Sequence, residues 1–178
     1  MRKLRVLLPL LLLALAAAPA PAQQPPPGFR GEFLRQFGNS MYKFIELAEA
    51  IPEDRYAWSP GEGVMPVARV YAHVARYNYY YPATSLGVPA PGGEDAESLE
   101  QTITAKADVV DFLRRSREHV RQTLAGMTDE QLAAPTRLYG RDVPQWAVLL
   151  QLLAHMNEHL GQSIAYARMN GVVPPWSQ

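Results

Sequence analysis

Three histidines in the chain have the side-chain type and the spacing that metal coordination requires. His155 and His159 are four residues apart in a stretch with helical periodicity, so they lie on one helix face, about 6 Å apart along the axis. His73 lies between Val70 and Tyr77 on the apolar face of an earlier predicted helix. Three protonated imidazoles around one point would repel each other, whereas neutral imidazoles are good ligands for zinc, nickel, copper or iron.

The spacing alone leaves two interpretations of these histidines open. An H-x-x-x-H pair also occurs as a structural or surface feature, and a single inward histidine such as His73 is often hydrogen-bonded within a core. The metalloprotease motif H-E-x-x-H is absent, because Glu158 precedes His159 instead of following His155. A carboxylate-bridged di-iron centre is excluded because the last predicted helix carries only one acidic residue.

Other polar and aromatic residues have weaker signals. His119 has charged neighbours in the sequence and is predicted to be exposed. Glu158 and Gln162 flank the histidine pair, where each can orient a ligand or accept a proton, although Glu158 can equally be a surface acid. Tyr77 and Tyr80 belong to a tyrosine cluster that either packs in the core or forms a wall of the metal cavity.

The composition excludes several classes of function. In this chain of 178 residues, 17 basic and 17 acidic residues balance, so no strong field attracts nucleic acid or an anionic membrane. There is no cysteine, which excludes disulfides, thiolate metal ligands, cysteine nucleophiles and iron–sulfur clusters. Apolar residues make up 48% of the chain, which is enough for a packed core. We therefore expect a globular domain stabilised by packing, with no nucleic-acid partner.

The first residues have the pattern of an export signal. A basic segment precedes an apolar run over residues 6–18, and Ala20-Pro21-Ala22 has the small-x-small form that signal peptidase cleaves. The apolar run is shorter than the roughly 20 residues that a membrane span needs. We therefore expect a signal peptide at residues 1–22 and a proline-rich leader at residues 23–28. The mature protein is expected to be exported, periplasmic or secreted, and free of the membrane after cleavage.

Hydrophobic periodicity predicts an all-α domain over residues 29–178. Apolar residues recur every three or four positions in four long segments, which are separated by connections rich in proline and glycine. Thr128–Gln131 fits a capping box that opens a short extra turn, and Thr136–Asp142 fits a tight turn or minimal hairpin. This pattern favours an up-down-type four-helix bundle, in which the Thr84–Ala96 connection is able to cross the bundle. The predicted helices are Gly31–Ala50, Pro66–Tyr81 (ended by Pro82), Ser98–Met127 and Pro144–Asn170.

Three motifs, taken in order, make the chain resemble the DinB-like superfamily. They are Tyr56-x-Trp58-x-Pro60-Gly61-Glu62-Gly63, then His73 within a helix, then His155-Met156-Asn157-Glu158-His159-Leu160-Gly161-Gln162. The match is strengthened by a segment near the end of the chain, Tyr166-Ala167-Arg168-Met169-Asn170-Gly171-Val172-Val173-Pro174-Pro175. The resemblance covers residues 29–177 and is closest to the exported members of the superfamily.

The resemblance implies a four-helix bundle in which His73, His155 and His159 bind one divalent cation and water completes its coordination. Zinc, nickel and iron are the candidate metals, and homodimers are common in the superfamily. Some members are thiol-dependent transferases or isomerases, and most have no known substrate. The resemblance thus implies a metal-dependent hydrolase or transferase that acts on an unidentified small molecule. The alternative is a non-catalytic metal- or ligand-binding bundle in which the cation is structural.

Overall fold

A computed structural model describes residues 27–177. The expected signal peptide at residues 1–22 and most of the leader at residues 23–28 lie outside this part of the chain. Within residues 27–177, no helix is long and apolar enough to cross a membrane. The helices and strands are α1 (Phe29–Ala50), α2 (Val67–Ser85), α3 (Ala96–Thr102), α4 (Lys106–Gly126), α5 (Asp129–Ala133), β1 (Pro135–Leu138), β2 (Arg141–Pro144) and α6 (Gln145–Met169).

The four long helices, α1, α2, α4 and α6, form a bundle, which confirms the predicted fold class. Helix α2 packs against α4 and α6, and α1 packs against the same two helices, so α1 and α2 lie across the core from each other. The connection at residues 51–66 therefore crosses the bundle, as does the one between α4 and α6, whereas the Thr84–Ala96 segment stays on one side. Because α2 and α6 are neighbours, side chains far apart in the sequence can meet between them.

The crossing connection at residues 51–66 is held by two aromatic residues of the first sequence motif. Tyr56 is buried, and its hydroxyl donates a hydrogen bond of 2.7 Å to a carbonyl of α1. The carbonyls of Tyr56 and Trp58 accept hydrogen bonds from the amides of Ala68 (2.9 Å) and Val67 (3.0 Å), which begin α2 and have no intrahelical partners. The Trp58 ring packs edge-on against Tyr166 of α6. The motif therefore fixes the start of α2 relative to α6.

Several short-range predictions are confirmed. The expected hairpin is the antiparallel pair β1–β2, whose tip Tyr139-Gly140 has two positive φ angles, 49° and 78°. The Thr128 and Gln131 side chains form the expected reciprocal capping box. The residues predicted to line the core face of the first helix are all buried: Phe33, Phe37, Met41, Phe44, Ile45 and Ala48.

The predicted single helix Ser98–Met127 is wrong, because the structure divides this segment into α3 and α4. The chain is extended at Ile103, with φ −79° and ψ 128°. Ile103 lies between Thr102 and Thr104, and three consecutive β-branched side chains lose rotamer freedom in a helix. The break lets α3 pack against α2 as a separate element.

The predicted end of the second helix at Tyr81 is also wrong, because α2 continues through Pro82 to Ser85. Proline lacks an N–H group and weakens the helix at that point. The last turn is instead held by the hairpin. The Ser85 hydroxyl donates to the carbonyl of Arg137 at 2.9 Å, and the Thr136 hydroxyl donates to the carbonyl of Ser85 at 2.6 Å. Contacts with β1 therefore stabilise the turn of α2 that follows the proline.

The prediction that His119 is exposed is wrong. Only 5% of His119 is exposed, and its ring stacks on Tyr79 with a centroid distance of 4.8 Å. Ser116 and Thr123 are also buried, so a stripe of polar residues on α4 faces inward. Hydrophobic periodicity did not predict that this face of α4 is buried, because its residues are polar. Burial lowers the pKa of His119 below its ordinary value.

We expect the buried His119 to make the fold sensitive to acid. The unfolded chain binds a proton on this ring near pH 6.5, whereas the folded chain resists it, so stability falls as the pH drops below that value. The expected loss is at most about 1.4 kcal/mol per pH unit. The measurement is the unfolding free energy from urea denaturation of the wild type and His119→Phe between about pH 7 and pH 5. A parallel pH dependence in the two proteins would contradict this account.

Candidate metal centre

The structure brings together the three histidines that the sequence singled out. His73 lies on α2, and His155 and His159 lie one turn apart on α6. One nitrogen from each ring lies within 4.8 Å of the others, and the Nε2 atoms of His73 and His155 are 3.3 Å apart. The expected convergence of His73 with the α6 pair, across 82 residues of sequence, is therefore confirmed.

The three rings are half-buried, and the environment of two of them, His73 and His155, favours the neutral form. Burial lowers the pKa of His155 to about 3, together with the repulsion that charges on His159 and His73 would produce. Burial also lowers the pKa of His73, and this effect exceeds the opposing effect of the Glu100 carboxylate. At neutral pH, His73 and His155 therefore carry no charge and keep lone pairs for a ligand.

A buried carboxylate holds His73 from outside the cluster. The Oε1 atom of Glu100 on α3 lies 2.9 Å from His73 Nδ1, and Glu100 is only 3% exposed. A carboxylate oxygen can only accept here, so Nδ1 carries the proton and Nε2 presents its lone pair to His155. The second oxygen of Glu100 accepts a hydrogen bond of 3.2 Å from Arg76. Glu100 thus fixes both the orientation and the tautomer of His73.

An amide plays the corresponding part for His159. The Oε1 atom of Gln162 lies 2.8 Å from His159 Nδ1, and Gln162 Nε2 donates to the hydroxyl of Tyr166 at 2.9 Å. The donation to Tyr166 orients the amide so that its carbonyl faces His159 and accepts from Nδ1. Glu158 and Gln162 were both considered from the sequence as residues that could orient a histidine. Gln162 is the one that contacts His159. Glu158 is exposed.

Tyrosines form one wall of the cluster. The Tyr77 ring lies 4.2 Å from the His155 ring and 4.6 Å from the His73 ring, measured between centroids. Tyr81 is fully buried beside His155, and its hydroxyl bonds that of Tyr139 at the tip of the hairpin. The sequence left open whether the tyrosines pack in the core or line the histidine site. Tyr77 lines the site, because its ring contacts both His73 and His155. The hairpin tip is thereby tied to the residues that surround the histidine cluster.

Glu100 and Arg76 are the site residues that the sequence interpretation missed. Glu100 lies in the segment that was predicted to be one long helix, and no feature of that segment indicated a contact with His73. A signal was nevertheless present on α2, where Arg69, His73 and Arg76 recur at helical spacing. Two arginines beside an inward histidine indicate a carboxylate partner on the facing element, and both lie within 4 Å of Glu100.

Comparison with known proteins agrees with this architecture. The family model described as the DinB superfamily matches residues 36–167, so the chain belongs to the DinB superfamily. Comparison with curated proteins gave no match.

Solved structures share the fold. A DinB-like protein from Bacillus cereus has a TM-score of 0.71 at 19% identity, and the match covers 82% of this chain and 95% of that one. A DinB-like protein from Bacillus subtilis has a TM-score of 0.64 at 24% identity, covering 83% and 97%. A conserved protein from Enterococcus faecalis has a TM-score of 0.60 at 16% identity, covering 78% and 94%. At these identities the likeness establishes the fold.

We expect His73 to be a single Nδ1–H tautomer in the metal-free protein, because Glu100 accepts from that nitrogen. Nitrogen-15 spectra of the imidazole side chains should show a protonated Nδ1 and a bare Nε2. Glu100→Gln should weaken this preference, since a neutral amide oxygen is a poorer acceptor than a carboxylate. Glu97→Gln is the matched control, because Glu97 lies on the same helix and pairs with Arg76 but is 75% exposed. Mixed tautomers in the wild type would contradict the assigned role of Glu100.

Proposed function

We propose that the protein binds one divalent cation through His73, His155 and His159. The observation that carries this proposal is the orientation of the rings. Glu100 and Gln162 engage the outer nitrogens of His73 and His159, which leaves the inner nitrogens bare and facing one another. A hydrogen bond between His73 Nε2 and His155 Nε2 would join only two of the rings, whereas a divalent cation would engage one nitrogen of all three at once.

The spacing of one pair of donor atoms fits such an ion directly, and the third nitrogen lies within 4.8 Å of that pair. Two nitrogens that each lie ~2.0–2.1 Å from a tetrahedral zinc ion are roughly 3.3–3.4 Å apart. His73 Nε2 and His155 Nε2 are 3.3 Å apart. Neutral imidazoles are suitable for zinc, nickel or iron, and we propose a metal from this group.

The chemistry that this site would support is hydrolysis or group transfer on an unidentified small molecule. A cation held by three neutral ligands acts as a Lewis acid and acidifies bound water. The chain's own residues supply the surroundings. Tyr77 closes the side of the cluster next to His155, and Glu100 places one negative charge behind His73 that offsets part of the ion's charge. We also propose that the protein is able to form a homodimer.

A structural role for the cation is the second candidate function. The three ligands join α2 to α6, and Glu100 adds α3, so an ion at this point would fasten three helices together. In this case the metal would stabilise the fold without chemistry. The same site residues support both functions.

Export is part of the proposal and limits the chemistry. The basic and apolar pattern at the start of the chain supports a cleaved signal peptide, with the mature protein beginning at Gln23. An exported protein does not meet the thiols of the cytosol. We therefore favour hydrolysis, or transfer without such a thiol, over the thiol-dependent reactions of some superfamily members.

We expect the purified protein to bind one equivalent of divalent metal, and His155→Ala to lose most of the affinity. Removal of a direct ligand should exceed the roughly 10- to 100-fold loss that is typical of an outer partner. The measurement is equilibrium dialysis against zinc, nickel and iron(II), followed by elemental analysis. Glu158→Ala is the matched control, since this exposed acid lies between the two α6 histidines and should bind metal like the wild type. Equal metal content in the wild type and His155→Ala would overturn the ligand assignment.

Metal removal separates the two candidate functions. A catalytic site should lose turnover of an ester, amide, lactone or thiol-transfer substrate while the protein stays folded. A structural site should lose thermal stability first. The measurement is a melting curve and a substrate screen on the same sample, before and after chelation.

A further inference from the structure

Arg76 contacts both of the residues that hold His73 from outside the histidine cluster. The Glu100 carboxylate accepts from His73 Nδ1 at 2.9 Å, and the Tyr77 ring lies 4.6 Å from the His73 ring, measured between centroids. Arg76 Nη1 donates to the other oxygen of Glu100 at 3.2 Å, and the guanidinium carbon of Arg76 lies 5.2 Å from the centroid of the Tyr77 ring. The four side chains therefore form a closed circuit of contacts that begins and ends at His73.

The order of residues on α2 makes this circuit possible. Arg76 and Tyr77 follow His73 by three and four residues, so the three side chains lie on adjacent parts of one helix face. The Arg76 side chain is only 19% exposed, and a charged group withdrawn from water needs partners. Arg76 Nη2 also pairs with Glu97 at 3.4 Å, and the Tyr80 ring lies 5.7 Å from the guanidinium carbon. A planar guanidinium with several donors suits carboxylates and aromatic faces together better than a lysine ammonium does.

Positive charge beside Glu100 does not by itself explain Arg76. Arg69 also places a charge there, with its Nε atom 3.7 Å from Glu100 Oε1, although its side chain is 45% exposed. Arg69 lies eight residues before Tyr77, which is about 12 Å along the helix axis. Both arginines therefore offset the charge of the carboxylate, whereas Arg76 is the one that also contacts the Tyr77 ring. The contribution particular to Arg76 is geometric.

We propose that Arg76 is a positioning residue of the metal centre. It holds the Glu100 carboxylate and the Tyr77 ring in place, and these two neighbours keep His73 Nε2 directed toward His155. The inference rests on the proposed function, because this nitrogen is there a ligand of the cation. The circuit itself consists of side chains of this chain alone, so its integrity can be measured in metal-free protein.

The first test compares Arg76→Gln with Arg69→Gln, because each variant removes one positive charge beside Glu100. The measurement is the nuclear Overhauser effect between the ring protons of His73 and Tyr77 in metal-free protein. We expect strong cross-peaks in the wild type and in Arg69→Gln, and markedly weaker ones in Arg76→Gln. Melting curves establish that each variant is folded. A loss of ring contacts in a folded protein is a change that a general effect on stability would not produce.

The second test is the zinc affinity of the same proteins, measured by competition with a chelator. Removal of an outer partner of a ligand typically costs roughly 10- to 100-fold, and Arg76 lies one contact further out. We therefore expect Arg76→Gln to lose about three- to tenfold in affinity, and Arg69→Gln to lose less than about twofold. Arg76→Lys keeps the charge without the planar fork, so its affinity and cross-peaks should fall between those of the wild type and Arg76→Gln. This variant decides the question if Arg76→Gln does not fold.

Three outcomes would overturn the assignment of Arg76. The His73–Tyr77 cross-peaks of Arg76→Gln equal those of the wild type, or Arg69→Gln loses as much cross-peak intensity and zinc affinity as Arg76→Gln. Full retention of both properties in Arg76→Lys would assign the role to charge alone. If the wild type binds no zinc, the proposed function fails, and the ring contacts in metal-free protein still decide whether Arg76 positions His73.

Discussion

The hydrogen bond between His73 Nδ1 and the buried carboxylate of Glu100 is the interaction on which the candidate site depends. It sets which nitrogen of His73 faces His155, and it places a negative charge behind a ring that burial keeps neutral. A carboxylate that is 3% exposed needs compensating partners, and Arg76 supplies one. Loss of Glu100 would therefore leave His73 Nδ1 without its acceptor and Arg76 with only the exposed Glu97 as an acidic partner.

The departures from a simple bundle serve this arrangement. Glu100 reaches α2 because the chain breaks at Ile103 and lets α3 pack as a separate helix. Residues 51–66 cross the core, so α2 lies beside α6, and Tyr56 and Trp58 hold the start of α2 in place. On α6, the Gln162–Tyr166 pair orients His159 and also contacts Trp58. One motif thus links the crossing connection to the histidine cluster.

The sequence predicted the parts of the structure that local physics determines. Helical periodicity and proline spacing indicated the four long helices, and the Thr128 capping box and the Tyr139-Gly140 turn followed from short-range chemistry. The histidine cluster was predicted because periodicity placed each histidine on an inward face and the resemblance joined them. The arginines on α2 indicate a carboxylate partner for His73, but that this partner is Glu100 depends on a contact between two helices, which no local pattern encodes. His119 was misassigned because its buried face is polar, and α2 passes Pro82 only because the distant hairpin holds its last turn.

X-ray absorption at the metal edge of the zinc-loaded protein tests the central claim most directly. If His73, His155 and His159 are the ligands and Glu100 is an outer partner, the spectrum should show three imidazole nitrogens at ~2.0–2.1 Å, completed by water oxygen. The His155→Ala protein, loaded at high zinc, should show two imidazoles. A wild-type spectrum with two or fewer imidazoles would contradict the account.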